Sequence, residues 1–166
     1  AALSVNVTVE QLRTAQVVRR PEIMVKRSPT EIEYYAEHAW AADVAEIVRE
    51  KLAAELGPKD PGKPTILVSG TIQAFGQLDT PEGAKPHIKL EFAFRTAGTS
   101  RYTEPLLEVI YENNPPEEPA AAPASASAGD AARAVVIALS GRLAEMAREI
   151  GQDAVRAAAI AEERAP

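Results

Sequence analysis

The chain has 166 residues, 46% of them hydrophobic, a net charge of −6 and no cysteine. That length allows one domain with a real core, and the lack of Cys excludes disulfides and thiolate metal sites. Its longest basic cluster is Arg19-Arg20, with Lys26-Arg27 close by. This is too little for nucleic-acid binding, which rests on Lys and Arg, and no apolar run approaches the ~20 residues of a membrane span.

Period-two alternation marks the strands. Leu3, Val5, Val7 and Val9 form a first inward set. Residues 22–26 and 31–36 are two further extended segments, divided by Arg27-Ser28-Pro29-Thr30, where Pro29 suits a turn. A helix is expected over 40–56, because Trp40, Val44, Ile47, Val48, Leu52 and Leu56 form one stripe at helical spacing. Gly57-Pro58 should stop it, and Lys51 and Glu55 are spaced to pair on its outer face.

A turn-rich stretch, 57–64, leads into a strand over 65–75. Ile66, Val68, Ile72 and Ala74 are read on one face, Leu67 and Phe75 on the other. A loop is expected over 76–86, with His87 at an exposed strand start. The strand 87–96 follows, with Ile88, Leu90, Phe92 and Phe94 inward. After a turn at 98–104, Leu107, Val109 and Tyr111 line a last strand, so the three runs read as an antiparallel meander. Residues 114–129 are Pro, Ala and Ser with no large apolar side chain, which reads as a flexible or polyproline-like linker. Asp130 is the expected N-cap of a closing helix. Val136, Leu139, Leu143, Met146 and Ile150 form its seam, Gly141 lies within it, and Gly151 is the expected end of its packed part. The Ala-rich tail to Pro166 extends the helix or frays.

The expected fold class is therefore α/β (α+β): a single mixed, largely antiparallel sheet covered by two long helices. Residues 1–113 hold the strands and first helix, 114–129 the linker, and 130–166 a helix that packs back on the same domain.

Chemistry-bearing motifs are few. Residues 57–63 match the spacing GxxxxGK, but Pro64 stands where a phosphate-binding loop needs Ser or Thr. The context, helix to strand, is also the reverse of the required one. His38 and His87 have no partner at metal-ligand spacing. Ser69-Gly70 sits in a strand, with no GxSxG elbow. Glu31, Glu33 and Glu37 gather near Tyr34 and Tyr35, yet nothing in the sequence orients them for acid–base work. No catalytic residue, metal or cofactor is expected. Aromatic residues make up only 5% of the chain, and three of them, Tyr34, Tyr35 and Trp40, fall close together. Trp40 is read as a core anchor. Tyr beside Arg has the composition of a protein-binding hot spot, so Arg19, Arg20, Tyr34, Tyr35, His38 and Trp40 are the candidate partner-binding residues.

The stretch 17–56 also resembles a known family, the auxiliary lipoprotein component of ABC-type lipid transport systems of the mammalian-cell-entry class. Members carry an Arg-Pro-x-Ile-Val segment, then a Trp-Ala pair before a helix that ends in Leu. Arg20, Pro21, Ile23, Val25, Trp40, Ala41, Leu52 and Leu56 stand at the matching places. Members often continue with Glu-Pro after Trp-Ala, where this chain has Ala42-Asp43. The resemblance implies a non-enzymatic periplasmic accessory protein that docks to a periplasm-spanning partner. It also implies an outer-membrane anchor through an N-terminal lipid on a segment upstream of Ala1. Two rivals are open from the residues alone: a periplasmic adaptor or regulator of cell-envelope synthesis, and a small hydrolase using the Glu31–Glu37 group with His38.

Overall fold

The alternating segments join one mixed sheet in the computed structural model, which describes residues 3–28, 30–100 and 102–165. Its strands are β1 (Asn6–Val9), β2 (Arg13–Thr14), β3 (Glu22–Ser28), β4 (Glu31–Ala39), β5 (Thr65–Thr80), β6 (Gly83–Thr96) and β7 (Leu107–Glu112). The order across the sheet is β4-β3-β5-β6-β7, with β1 and β2 also paired to β5. Strands β1, β2 and β3 run parallel to β5, whereas β5-β6-β7 is the expected antiparallel meander. Helices α1 (Val44–Leu56) and α2 (Ala128–Arg164) pack on each other and cover one face, α1 over β1 and α2 over β5, β6 and β7. Ile66, Val68, Ile72, Ile88, Leu90, Phe92 and Phe94 meet Val48, Leu52, Val135, Leu139, Leu143 and Ile150 in one core. The fold class is thus the expected one.

Several boundaries differ from the sequence reading. Helix α1 begins at Val44, after Trp40, and Asp43 holds the N-cap position without a side-chain cap bond. Strand β4 runs on to Ala39, past residue 36. Strand β5 does not end at Phe75: it runs to Thr80 and returns through Pro81-Glu82 into β6, so 76–86 is a tight hairpin, not a loop. Pro86 is tolerated because it lies past the end of β7, where the Asn113 side chain takes over that edge by donating to the Pro86 carbonyl at 2.8 Å. His87 is consequently inside β6, opposite Gly76, with Nε2 2.7 Å from Glu112 Oε2.

A register shift between Ile72 and Ala74 slips β5 by one residue. The slip turns Phe75 onto the helix-covered face, opposite Ile88 and against Trp40. Strict alternation had put Phe75 on the other face; a bulge is what overrides it.

The Pro/Ala/Ser segment is anchored to the domain at several points. Ala84 and Ala122 form a bridge, Glu118 pairs with Arg142 of α2, and the buried Lys85 ammonium reaches the Pro115 carbonyl at 3.1 Å. The N-cap of α2 is Ser127, whose hydroxyl accepts from the Asp130 amide at 3.2 Å; Asp130 itself sits in the first turn. Nor does Gly151 end the packed part. The helix continues to Arg164 and buries Ala154 and Ala157. Gly151 instead leaves room for Leu3, whose Cδ1 would lie 2.9 Å from an added Cβ.

Candidate functional site

The β3–β4 hairpin carries the candidate residues, and it divides them. Backbone geometry starts the division, because adjacent side chains of a strand point to opposite faces. On one side a short 3-10 turn (Gln16–Val18) brings the Val17 carbonyl to Tyr34, whose hydroxyl donates to it at 2.7 Å. The Arg20 guanidinium lies over the Tyr34 ring, 4.1 Å from its centroid, and its Nε is 3.4 Å from Glu22. A guanidinium stacked on a ring near the surface contributes about 0.5–1 kcal/mol. Val17 and Ile32 are exposed hydrophobics beside it. Arg19 is also exposed and donates to the Thr14 carbonyl at 3.2 Å.

Tyr35 and His38 belong to a different neighbourhood. Their rings meet edge to face at 5.3 Å, and His38 lies against the start of α2 at Gly129. The Tyr35 hydroxyl donates to Gln77 Oε1 at 2.6 Å. The Gln77 amide donates to Asp79 at 2.7 Å, and Asp79 accepts from Arg27 at 2.9 Å. Arg27 closes the chain on Glu33 at 2.6 Å. The bond to Glu33 raises the Arg27 pKa above its ordinary value, so the guanidinium stays charged. Burial raises that of Tyr35, so it stays a neutral donor. Arg27, Tyr35, Gln77 and Asp79 line a cleft of about 280 Å³ closed by Pro123, Ala124 and Ala126. Arg27, Gln77 and Asp79 were not among the candidates from sequence: Gln77 and Asp79 lie in the part of β5 that reads as a loop.

Trp40 belongs to neither group. Its ring packs on Phe75 at 5.1 Å, its amide donates to the Pro21 carbonyl at 2.8 Å, and it is only half-buried. Trp40→Ala should therefore cost ~2–3 kcal/mol, less than the ~3–5 of a fully buried aromatic. A thermal melt checks this. An unchanged melting temperature would assign the ring to a partner surface instead.

The acidic trio does not converge. Glu31, Glu33 and Glu37 are exposed along β4, Glu33 is held by Arg27, and His38 faces Tyr35. Among the described residues no group of His, Asp and Glu could hold a metal ion, and no helix is long and apolar enough to cross a membrane. A larger cleft, about 930 Å³, lies on the helix-free face of the sheet. Its lining mixes Glu10, Glu91 and Glu108 with Arg13, Arg95 and the exposed Ile110.

No family model matches the chain, and no curated protein does. Solved structures do. The crystal structure of a Xanthomonas campestris protein of family-model DUF330 superposes with a TM-score of 0.71 at 14% identity, over 96% of this chain and 88% of that one. A second, described as an uncharacterized protein, gives 0.57 at 14% identity, over 90% and 94%. At that identity the likeness is one of fold: this chain has the architecture of a DUF330 protein over nearly its whole length.

Proposed function

We propose that this protein is a non-enzymatic accessory component of an ABC-type lipid transport system. In this reading it acts in the periplasm, held at the outer membrane by a lipid on an upstream segment, and docks to a periplasm-spanning partner. The observation that carries the proposal is the exposed Arg20 stacked on the half-buried Tyr34 ring and flanked by the exposed Val17 and Ile32. It concentrates stacked cation, aromatic ring and apolar surface in the stretch where the resemblance to the auxiliary lipoprotein family is densest. Arg and Tyr are the residue types whose truncation most often costs an interface ≥ ~2 kcal/mol.

The test is a double variant, Arg20→Ala with Tyr34→Ala. Arg20 is exposed and Tyr34 half-buried, with its hydroxyl on the Val17 carbonyl, so the variant should stay folded with a melting temperature lowered by about 5–10 °C. Capture of the periplasm-spanning transporter component should weaken by about thirtyfold or more. A folded double variant that binds as well as the wild type would remove the hairpin face from the interface.

A further inference from the structure

The geometry points to strand addition: the outer edge of β4 takes an extended, basic segment of the docking partner as one more strand. This rests on the docking reading for its choice of partner, and on the following observations for its mode.

Strand β4 ends the sheet. It pairs with β3 on one side only. Among the described residues, the only further backbone bonds of the hairpin end are the Ser28 hydroxyl accepting from Thr30 and Glu31, and the Trp40 amide donating to Pro21. The outward amides and carbonyls of 32–34 are therefore left to water. An unpaired row of this kind is a template for another strand. Natural sheets block such edges with proline, lysine or a covering element. Strand β4 contains no Pro, Lys or Arg, and Glu31, Ile32 and Glu33 are all exposed.

The side chains define the occupant. Register is regular from Tyr34, opposite Met24, to Ile32, opposite Lys26; it slips beyond Tyr34, and again where Ser28 meets Glu31, but there the extra residue, Arg27, is on β3 and β4 itself stays regular. An added strand thus reads 31–34. Over that span Glu31 and Glu33 share one face, and Ile32 and Tyr34 share the other. The complement is an extended segment in which Lys or Arg alternates with apolar residues, its cations facing Glu31 and the Glu33 carboxylate that Arg27 already holds on one side, and its apolar side chains facing Ile32 and Tyr34. A second copy of this chain fits poorly. Antiparallel pairing of two β4 edges about position 32 sets Glu31 against Glu33; about 33 it sets Glu33 against itself; about 34 it sets Glu31 against Glu37. Like charges directly opposite destabilise a pair. Repulsion therefore selects a hetero-partner of opposite charge, and strand addition supplies main-chain bonds for affinity and alternate side chains for specificity.

The probe is a synthetic six-residue peptide alternating Lys and Val, with a Glu-Val peptide as its counterpart. Both are titrated by fluorescence anisotropy into the whole chain while amide exchange is followed. The expected result is saturable one-to-one binding of the Lys-Val peptide with slowed exchange within 31–34. The Glu-Val peptide should not bind. In the double variant Glu31→Lys with Glu33→Lys the preference should reverse, each peptide changing affinity by roughly tenfold. An unchanged melting temperature shows that loss of the exposed Arg27–Glu33 pair has not unfolded the hairpin. Equal binding of both peptides, protection of 107–112 in β7 in place of β4, binding with no protected amide, or dimerisation through β4 by sedimentation would each overturn the inference. The same variant separates it from the docking reading. If the variant still captures the transporter component, strand addition fails and docking stands. If wild type captures no such component yet protects 31–34 on the Lys-Val peptide, strand addition stands and the assigned partner falls.

Discussion

Exchanging Gly70 for alanine is expected to lower the melting temperature by about 10 °C or more, or to leave the chain unfolded. Gly70 lies at the centre of the sheet, opposite Phe92, with φ at +157°. At that angle an added Cβ points into the neighbouring strand. It would stand 2.1 Å from the Glu91 carbonyl oxygen, 2.7 Å from Phe92 Cδ1 and 2.9 Å from Phe92 Cα. Two of these three atoms are backbone, so relief requires prising β6 from β5, the most extensive pairing in the fold. Backbone strain plus a broken ladder places this substitution in the tail above ~4 kcal/mol, and for a domain this size each kcal/mol moves the melting temperature by about 2–4 °C. Gly141→Ala is the matched control. Gly141 is inside α2 and an added Cβ there meets nothing within 4 Å, so the same chemical change should stabilise by ~1 kcal/mol. Equal melting temperatures for the two variants would refute the steric account.

The two glycines show where sequence reading runs out. In sequence, Gly141 reads as a weak point of a helix and Gly70 only as a gap between the inward residues of a strand. Only the register of β5 against β6 shows that one meets open space and the other a carbonyl. The same limit explains the misplaced hairpin. Gly76 and Pro86 are loop signals, and they outweigh the sparse alternation of 77–85. Yet Gly76 is a strand residue that lets β3 approach, since a Cβ there would sit 2.5 Å from the Met24 carbonyl oxygen. What was legible has a simple physical basis. Ile88, Leu90, Phe92 and Phe94 alternate without interruption, and all four are fully buried. The stripe Val44, Val48 and Leu52 faces the core as its spacing requires, and the helix stops at Gly57, whose φ is +84°.

The candidate site was legible in part. Tyr34 and Arg20 stand 14 positions apart in sequence, and their composition pointed to contact with a partner; the structure stacks one on the other. Their separation from Tyr35 and His38 follows only from the tertiary partners, Val17 for one ring and Gln77 for the other. The edge position of β4 was not legible at all, because strand order is set by long-range pairing and leaves no local mark. Asn6 was overlooked for a related reason. In an alternating run it occupies an apparently outward position, yet it is only 7% exposed.

That buried amide carries the second large expectation. Asn6 clamps the connection between α1 and β5. Its Nδ2 donates to the Asp60 carbonyl at 2.7 Å and the Lys63 carbonyl at 3.2 Å, and its Oδ1 accepts from the Asp60 amide at 2.8 Å. Asn6→Asp keeps the shape and the acceptor. It deletes both donors and sets a carboxylate oxygen against two carbonyl oxygens. Losing the bonds and burying the charge should cost about 3 kcal/mol at neutral pH. Among nearby charges, the Asp60 carboxylate adds repulsion. The Lys63 ammonium already serves the Leu3 carbonyl at 2.8 Å and stands 3.9 Å from Asp60. Burial and the facing carbonyls raise the folded-state pKa of the new carboxyl above its unfolded value of about 3.9. A raised carboxyl pKa means the folded state binds the proton more tightly. The penalty is therefore full above the folded pKa, shrinks as pH falls through it, and is smallest below ~3.9, where the protonated acid can again donate to one carbonyl. Urea unfolding of both proteins at pH 7 and pH 4 measures the gap. A gap that narrows toward pH 4 identifies Asn6 as a donor clamp; no gap at either value would show that the loop is held by its other contacts and that Asn6 fills space.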